Sequence, residues 1–222
     1  MIDEWAAIWL SLKVAGCATV LDLIAGVAVG YLLARGRFPG RDVLDSFLTL
    51  PMVLPPTVIG YYLLVLFGQR GWFGGWLNEQ FGINLIFTWQ GAVIAAAVVA
   101  FPLVFKPARA AFEVVDGQLE QAARVLGLSE LAVFLRITLP LAWRGILAGT
   151  LLAFARAIGE FGATLMVAGS IPGKTQTLSI AIYEALQAGQ DKLALTLALI
   201  ISVVCVVVLL GAGQLASTRH PR

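Results

Sequence analysis

"DGQLEQAARVLGLSELAVFLRITLP", residues 116–140, is the longest stretch of the chain without the character of a membrane span. Within it Leu119, Ala122, Ala123 and Leu126 recur at i, i+3, i+4 and i+7, which predicts a short helix with one narrow face of small and apolar side chains. Gln118, Glu120, Gln121 and Arg124 cover the remainder of that helix. Gly127 interrupts it, and Ser129 is placed to cap a second piece whose apolar side is Leu131, Phe134 and Leu135. Pro140 is expected to stop that piece. Two short helices meeting at a glycine make a compact knob. Periodicity alone leaves it either a docking element or an amphipathic connector lying on a membrane.

The flanking sequence supplies the setting. Of 222 residues, 59% are hydrophobic and 13% charged, and the mean hydropathy is +0.90. A soluble domain carries roughly 25% charged residues, so this chain has too little polar surface to cover itself in water, and its solvent is lipid. Segments at approximately 8–34, 45–67, 86–106, 146–168 and 193–213 are long and apolar enough to cross a hydrocarbon layer of about 30 Å as helices. The fold class is therefore an all-α polytopic membrane protein with about five transmembrane helices. No linker divides it, so residues 1–222 read as a single transmembrane domain. The first span is not a cleaved signal peptide, because "MIDEW" is acidic where a basic region is required.

Arg35, Arg37 and Arg41 follow the first span; Lys106, Arg109, Arg124, Arg136 and Arg144 lie between the third and fourth; Arg219 and Arg222 follow the fifth. Placing these basic segments inside puts the N-terminus outside and the C-terminus in the cytoplasm. Trp5, Trp9, Trp72, Trp76 and Trp89 then fall near the outer interface and Trp143 near the inner one. Cys17 and Cys205 sit in apolar runs and the single histidine is His220, so neither a disulfide framework, a metal site nor His-based catalysis is expected.

The knob resembles the cytoplasmic signature of ABC-importer permeases, Glu-Ala-Ala-x-x-x-Gly, nine residues, then Ile-x-Leu-Pro. Here it reads Gln121, Ala122, Ala123 and Gly127, then Ile137, Leu139 and Pro140, with the spacing intact. Gln121 replaces the leading Glu and keeps an acceptor without the charge, although Glu120 is adjacent. The resemblance implies a type I ABC-importer permease fold in which Glu120, Gln121, Ala122, Ala123, Gly127, Ile137, Leu139 and Pro140 form the ATPase-coupling loop. It also implies partners: a second permease copy, two ATPase subunits that bind ATP and Mg, and a periplasmic or lipoprotein binding protein. The chain itself would carry no cofactor, catalyse no reaction and bind no nucleic acid, and would sit in a bacterial inner membrane as a multi-pass protein. "LPMVLPPTVIGYYLL" and "ARAIGEFGATLMVAGSIPGKTQTLSIAIY" look like the molybdate branch of that family, whose nearest relative is the sulfate/thiosulfate branch. The implied substrate is a tetrahedral oxyanion, molybdate or tungstate, moved by alternating access.

One motif points elsewhere. "AGSIPGKTQT", residues 168–177, differs from the phosphate loop Gly-x-x-x-x-Gly-Lys-[Ser/Thr] only by its leading Ala. A working phosphate loop follows a β-strand, whereas this one follows a membrane helix and faces outward. It reads instead as a Pro-Gly turn, and Pro172, Gly173 and Lys174 become candidates for docking the binding protein, within outer loops 69–85 and 169–190. After it, Leu178, Ile182 and Leu186 fall on one helical face, opposite Glu184, Gln187 and Asp191, which predicts a helix lying along the outer surface.

Charged and broken spans are the remaining candidates. Arg156 and Glu160 stand four residues apart, either as an intrahelical ion pair or as part of the translocation path with Arg156 meeting the anion. Gly159 and Gly162 would allow close approach of a neighbour. Pro51, Pro55 and Pro56 break the second span and Pro102 the third, as gate elements or as packing kinks. Asp22 should face protein, and Lys13 should snorkel towards the outer interface. An intramembrane enzyme would need a nucleophile with a base, or metal ligands, which these spans lack. A secondary transporter or channel would not need the signature loop, and no inverted repeat is visible.

Overall fold

The computed structural model of the chain describes residues 4–216; Arg219, His220 and Arg222 lie outside the described residues. Its first helix, α1 (Glu4–Arg35), has an acidic residue in its first turn and Arg35 in its last, matching the helix dipole at both ends. At 32 residues it is about 48 Å long, more than enough to cross a bilayer. The long apolar helix α12 (Asp191–Ala216) closes the described chain. Its exposed residues Leu195, Leu199, Val203, Val206 and Leu210 present a hydrocarbon surface suited to lipid.

The second and third spans are broken where the prolines stand. Helix α2 (Arg41–Val53) and α3 (Pro56–Phe67) meet at 114°, far beyond a kink. Pro55 and Pro56 remove two successive amide donors, and Leu54 ahead of them is extended (φ −71°, ψ 141°) as a pre-proline residue should be. Pro51, by contrast, does not break the span as expected: it lies within α2, which continues past it to Val53. Helix α4 (Trp72–Phe81) fills the following loop, and α5 (Trp89–Ala100) meets α6 (Pro102–Val114) at 44°, with Pro102 opening α6. With each bent pair counted as one span, the described chain has five.

The fourth span departs from expectation at both ends. After α7 (Gly117–Val125), helix α8 (Glu130–Val133) runs through a π-helical turn, Phe134–Thr138, into α9 (Leu139–Ile158). Pro140 therefore does not stop the second piece of the knob. It occupies the first turn of α9, where a missing amide is tolerated, while the Leu139 amide bonds back to the Phe134 carbonyl across the wider π turn. Nor does the span continue unbroken to residue 168. It stops at Ile158, and α10 (Gly162–Ala168) restarts after a break at 159–161.

Small residues set the packing. Ala15 and Ala18 of α1, Ala92, Ala96 and Ala100 of α5, and Ala153 and Ala157 of α9 share one core, the composition that lets membrane helices approach closely. At Gly26 a Cβ would lie 2.8 Å from the Val104 side chain and at Gly30 3.0 Å from Ala108 Cβ, so α1 and α6 approach this closely because both positions are glycine. Helix α11 (Leu178–Gln187) is amphipathic as expected, with Leu178 buried and Ile182 packed on the same cluster, but its buried face is turned away from Leu186. Its buried residues are Leu178, Ile180, Ala181 and Ala185, and it packs with Ala7 and Leu197 while Leu186 is 56% exposed. The Leu178 amide donates to Ser11 Oγ at 2.6 Å, tying its start to α1.

Candidate functional site: the knob and the broken spans

The knob is built by local signals. Asp116 caps α7, its carboxylate accepting from the Gln118 amide at 2.9 Å. Gly127 adopts φ +85°, and the Leu128 and Gly127 amides bond back to Ala123 O (3.1 Å) and Arg124 O (2.9 Å), a Schellman closure that needs a left-handed residue. Ser129 then caps α8, accepting from the Ala132 amide.

One buried carboxylate holds the knob to the membrane domain. Glu120 is 4% exposed. It pairs with Arg35 at 2.8 Å and accepts from the Thr138 hydroxyl at 2.8 Å. Arg35 also donates to Val115 O at 3.2 Å. Glu120 thus joins α7, the last turn of α1 and the π turn in one network, in which Arg35 Nε is buried without a hydrogen-bond partner among the described residues. Gln121, at the signature's leading position, is exposed. Ala123 is buried and Ala122 exposed; Ile137 and Leu139 are half-buried and Pro140 exposed. Arg124 donates twice to Glu130, at 2.7 and 3.1 Å, and this bond pushes the guanidinium pKa up. Beneath the knob Tyr31 packs edge-on against Phe112 and Phe134, with centroids 5.5 and 4.8 Å away.

The knob's outer surface is apolar. Val125 is 88% exposed and Leu126 80%, with Leu119 and Leu131 also exposed. Leucines 119, 126 and 131 were expected there, whereas Val125 falls outside the i, i+3, i+4 row and gave no periodic signal. Side chains of this kind held out on a polar knob mark a contact surface for protein or membrane.

The second locus joins two breaks. Glu160 is buried; one oxygen pairs with Arg156 at 2.7 Å and the other accepts from the Ala163 amide at 2.8 Å, capping α10. Arg156 is in the last turn of α9 and partly exposed, so the pair spans the end of a helix rather than lying within one. A Cβ at Gly162 would lie 3.1 Å from Pro56 Cβ, which places the break before α10 against the start of α3. Gly159 is different. A Cβ there would meet only carbonyl oxygens of its own helix, no nearer than 3.7 Å, so it serves no close approach. Pro55 is exposed and Pro51 half-buried.

Sequence reasoning missed a further cluster. Asp45 of α2 accepts from Arg109 of α6 at 2.6 Å and pairs with Lys106; Glu113 bridges Arg109 (2.8 Å) and Arg41 (2.9 Å). Asp22 is buried against protein, as expected, and its Oδ2 has no hydrogen-bond partner among the described residues.

The phosphate-loop lookalike is a tight turn after α10. Pro172, Gly173 and Lys174 are exposed, and Gly173 has φ +72°. Thr175 is buried, accepting from the Ile171 amide at 3.0 Å. Among the described residues there is no strand to precede it and no cluster of three metal-ligating side chains.

Comparison with known proteins agrees with this architecture. Residues 26–219 match the family described as "Binding-protein-dependent transport system inner membrane component". The chain is 48% identical over 220 residues to the "Molybdenum transport system permease protein ModB" of Escherichia coli (strain K12), covering 99% of this chain and 96% of that one. Its identity to the "Sulfate transport system permease protein CysW" of Synechocystis sp. is 37% over 204 residues, covering 92% and 74%. Among solved structures, the inward-facing MetNI methionine ABC transporter superposes with a TM-score of 0.71 at 15% identity, covering 94% of this chain and 92% of that chain. A bacterial ABC transporter involved in alginate import gives 0.72 at 16%, covering 100% and 82%. The fold is that of ABC-importer permeases, and the chain is a multi-pass inner-membrane transport permease of a binding-protein-dependent system rather than an enzyme. The chain belongs to the family of binding-protein-dependent transport system inner membrane components.

Proposed function

We propose that this chain is the permease subunit of an ATP-driven importer for molybdate or tungstate, with two copies of it forming the pathway. The observation that carries the substrate class is the 48% identity to a molybdenum permease across almost the whole chain. The sulfate reading is the alternative, favoured only by the more distant relatives at 37%.

The coupling role rests on the knob. An apolar surface of Leu119, Val125, Leu126 and Leu131 offers the ATPase a contact, while the Glu120 network passes its displacement to α1 and α9. ATP and Mg are bound by that ATPase, with no cofactor in this chain. The positive-inside pattern supports a cytoplasmic knob and an outward N-terminus. The exposed turn at Pro172, Gly173 and Lys174 then faces the binding protein.

When the knobs are drawn together, the two breaks at Pro55/Pro56 and 159–161 are the places where the spans can re-angle, since the backbone there is already free of helical constraint. Arg156, positioned by Glu160, supplies a cation at that level for a passing dianion. The test is uptake of labelled molybdate into proteoliposomes containing this chain, its ATPase and its binding protein, with tungstate and sulfate as competitors. Competition by tungstate and not by sulfate is the expected result; effective competition by sulfate moves the protein to the other branch.

A further inference from the structure

The end of α1 remote from the knob carries two adjoining concavities, one of them bordered by the outer turn. One, of about 410 Å³, is lined by Lys13 of α1 and Lys174 of the outer turn, together with Trp9, Gln90 and Thr175. Neither lysine has a carboxylate partner among the described residues. Lys13 Nζ instead sits 3.5 Å from the centroid of the Trp89 ring, its charge resting on an indole face.

Trp89 and Gln90 also line the second concavity, about 510 Å³, which is otherwise walled by Gly16, Val20 and Leu21 of α1 and by Val93 and Ile94 of α5. Apart from Gln90 this trough is lined by apolar and small side chains. Val20 and Leu21 are exposed, and a Cβ at Gly16 would meet nothing within 4 Å, so the space there is open. From Lys13 to Val20 is two helical turns, roughly 10 Å along α1 towards the centre of the span. A recess with two lysines therefore shares the Trp89–Gln90 wall with an apolar trough that runs along α1. A soluble oxyanion would use only the first, and a docked helix only the second.

We propose that α1, α5 and the 169–175 turn form a binding site for an anionic glycerophospholipid. Its phosphate lies between Lys13 and Lys174, and one acyl chain lies in the trough past Gly16. The charge complementarity is that of basic side chains at a membrane surface facing anionic lipid. Lys174 then gives its ammonium to the lipid, Gly173 borders the same recess, and Pro172 is the exposed part of the turn left for the binding protein. The site rests on the chain's membrane insertion and is independent of which oxyanion is imported.

The test uses the full-length chain purified from bilayers of equal phosphatidylglycerol and phosphatidylcholine, with retained lipid counted by native mass spectrometry. The wild type should retain phosphatidylglycerol in preference to phosphatidylcholine. The Lys13→Gln/Lys174→Gln double variant should lose that preference by roughly tenfold or more, the scale of two lysines at an anionic surface. Gly16→Leu, whose Cβ meets nothing within 4 Å, projects into the trough and should lower retention of both lipids at unchanged helical content. The proposal is overturned if the wild type shows no preference or the double variant keeps it. Displacement of the lipid by millimolar inorganic phosphate also overturns it, in favour of a free-oxyanion site. If Gly16→Leu splits paired copies while lipid retention is untouched, a second copy of the chain covers the trough and the lipid assignment fails.

Discussion

The Glu120 carboxylate and the Arg35 guanidinium meet at 2.8 Å across 85 residues of sequence, fastening the knob to the last turn of α1. Glu120 is almost fully buried while Arg35 keeps some contact with solvent. Removing the carboxylate leaves Arg35 and the Thr138 hydroxyl without their shared acceptor. Glu120→Ala should therefore lower stability by roughly 2–3 kcal/mol, somewhat under the range for a fully buried pair. Gln121→Ala, at an exposed position, should change it by less than about 0.5 kcal/mol. Thermal unfolding of the two purified variants measures the difference, and equal midpoints would contradict the assignment.

Gly127 tests the hinge without steric complication. A Cβ there meets nothing within 4 Å, so any cost comes from φ +85°. Asn tolerates the left-handed region best, whereas Ala costs about 1–2 kcal/mol and β-branched Val more. The expected order of thermal stability is wild type, Gly127→Asn, Gly127→Ala, Gly127→Val.

The two glycines near Arg156 should part company. Gly159→Ala meets no neighbouring element and should shift stability by less than about 0.5 kcal/mol. Gly162→Val presses on Pro56 and should cost about 1–3 kcal/mol through overpacking, unless α3 moves away. Denaturation curves of both variants in the same detergent provide the comparison.

Glu160→Gln separates positioning from capping. The amide can still accept from the Ala163 backbone, but it no longer neutralises Arg156. The variant should keep its helical content while ATP-driven uptake falls by about tenfold or more, the scale of an unpaired charge at membrane depth. Wild-type uptake would remove Arg156 and Glu160 from the translocation path.

The spans were legible in the sequence because hydropathy over twenty residues is a strong signal, and the hinge at Gly127 and the cap at Ser129 were legible because each is a local rule. What lay hidden required the third dimension. Arg35 reads as one more positive-inside residue until α1 and α7 are side by side. Pro140 looks like a helix stop because the π turn ahead of it, which accommodates the missing amide, leaves no mark in the sequence. The buried face of α11 is turned from the expected one because Ala181 and Ala185 are buried through small size, whereas hydrophobicity singles out Leu186, which is exposed; Ile182 packs on the core as expected. The 114° bend at Pro55 and Pro56 was foreseen as a break, but two successive prolines do not fix its angle.

The central claim is that the exposed apolar surface of the knob carries the ATPase stroke. Leu126→Asp leaves the buried network untouched and places a charge on that surface. The direct measurement is ATP-dependent uptake of labelled molybdate into proteoliposomes holding the chain, its ATPase and its binding protein, wild type against Leu126→Asp. The wild type should require ATP, and the variant should lose at least about tenfold of that uptake while remaining folded. Uptake that proceeds without ATP, or a variant that transports like the wild type, would contradict the account.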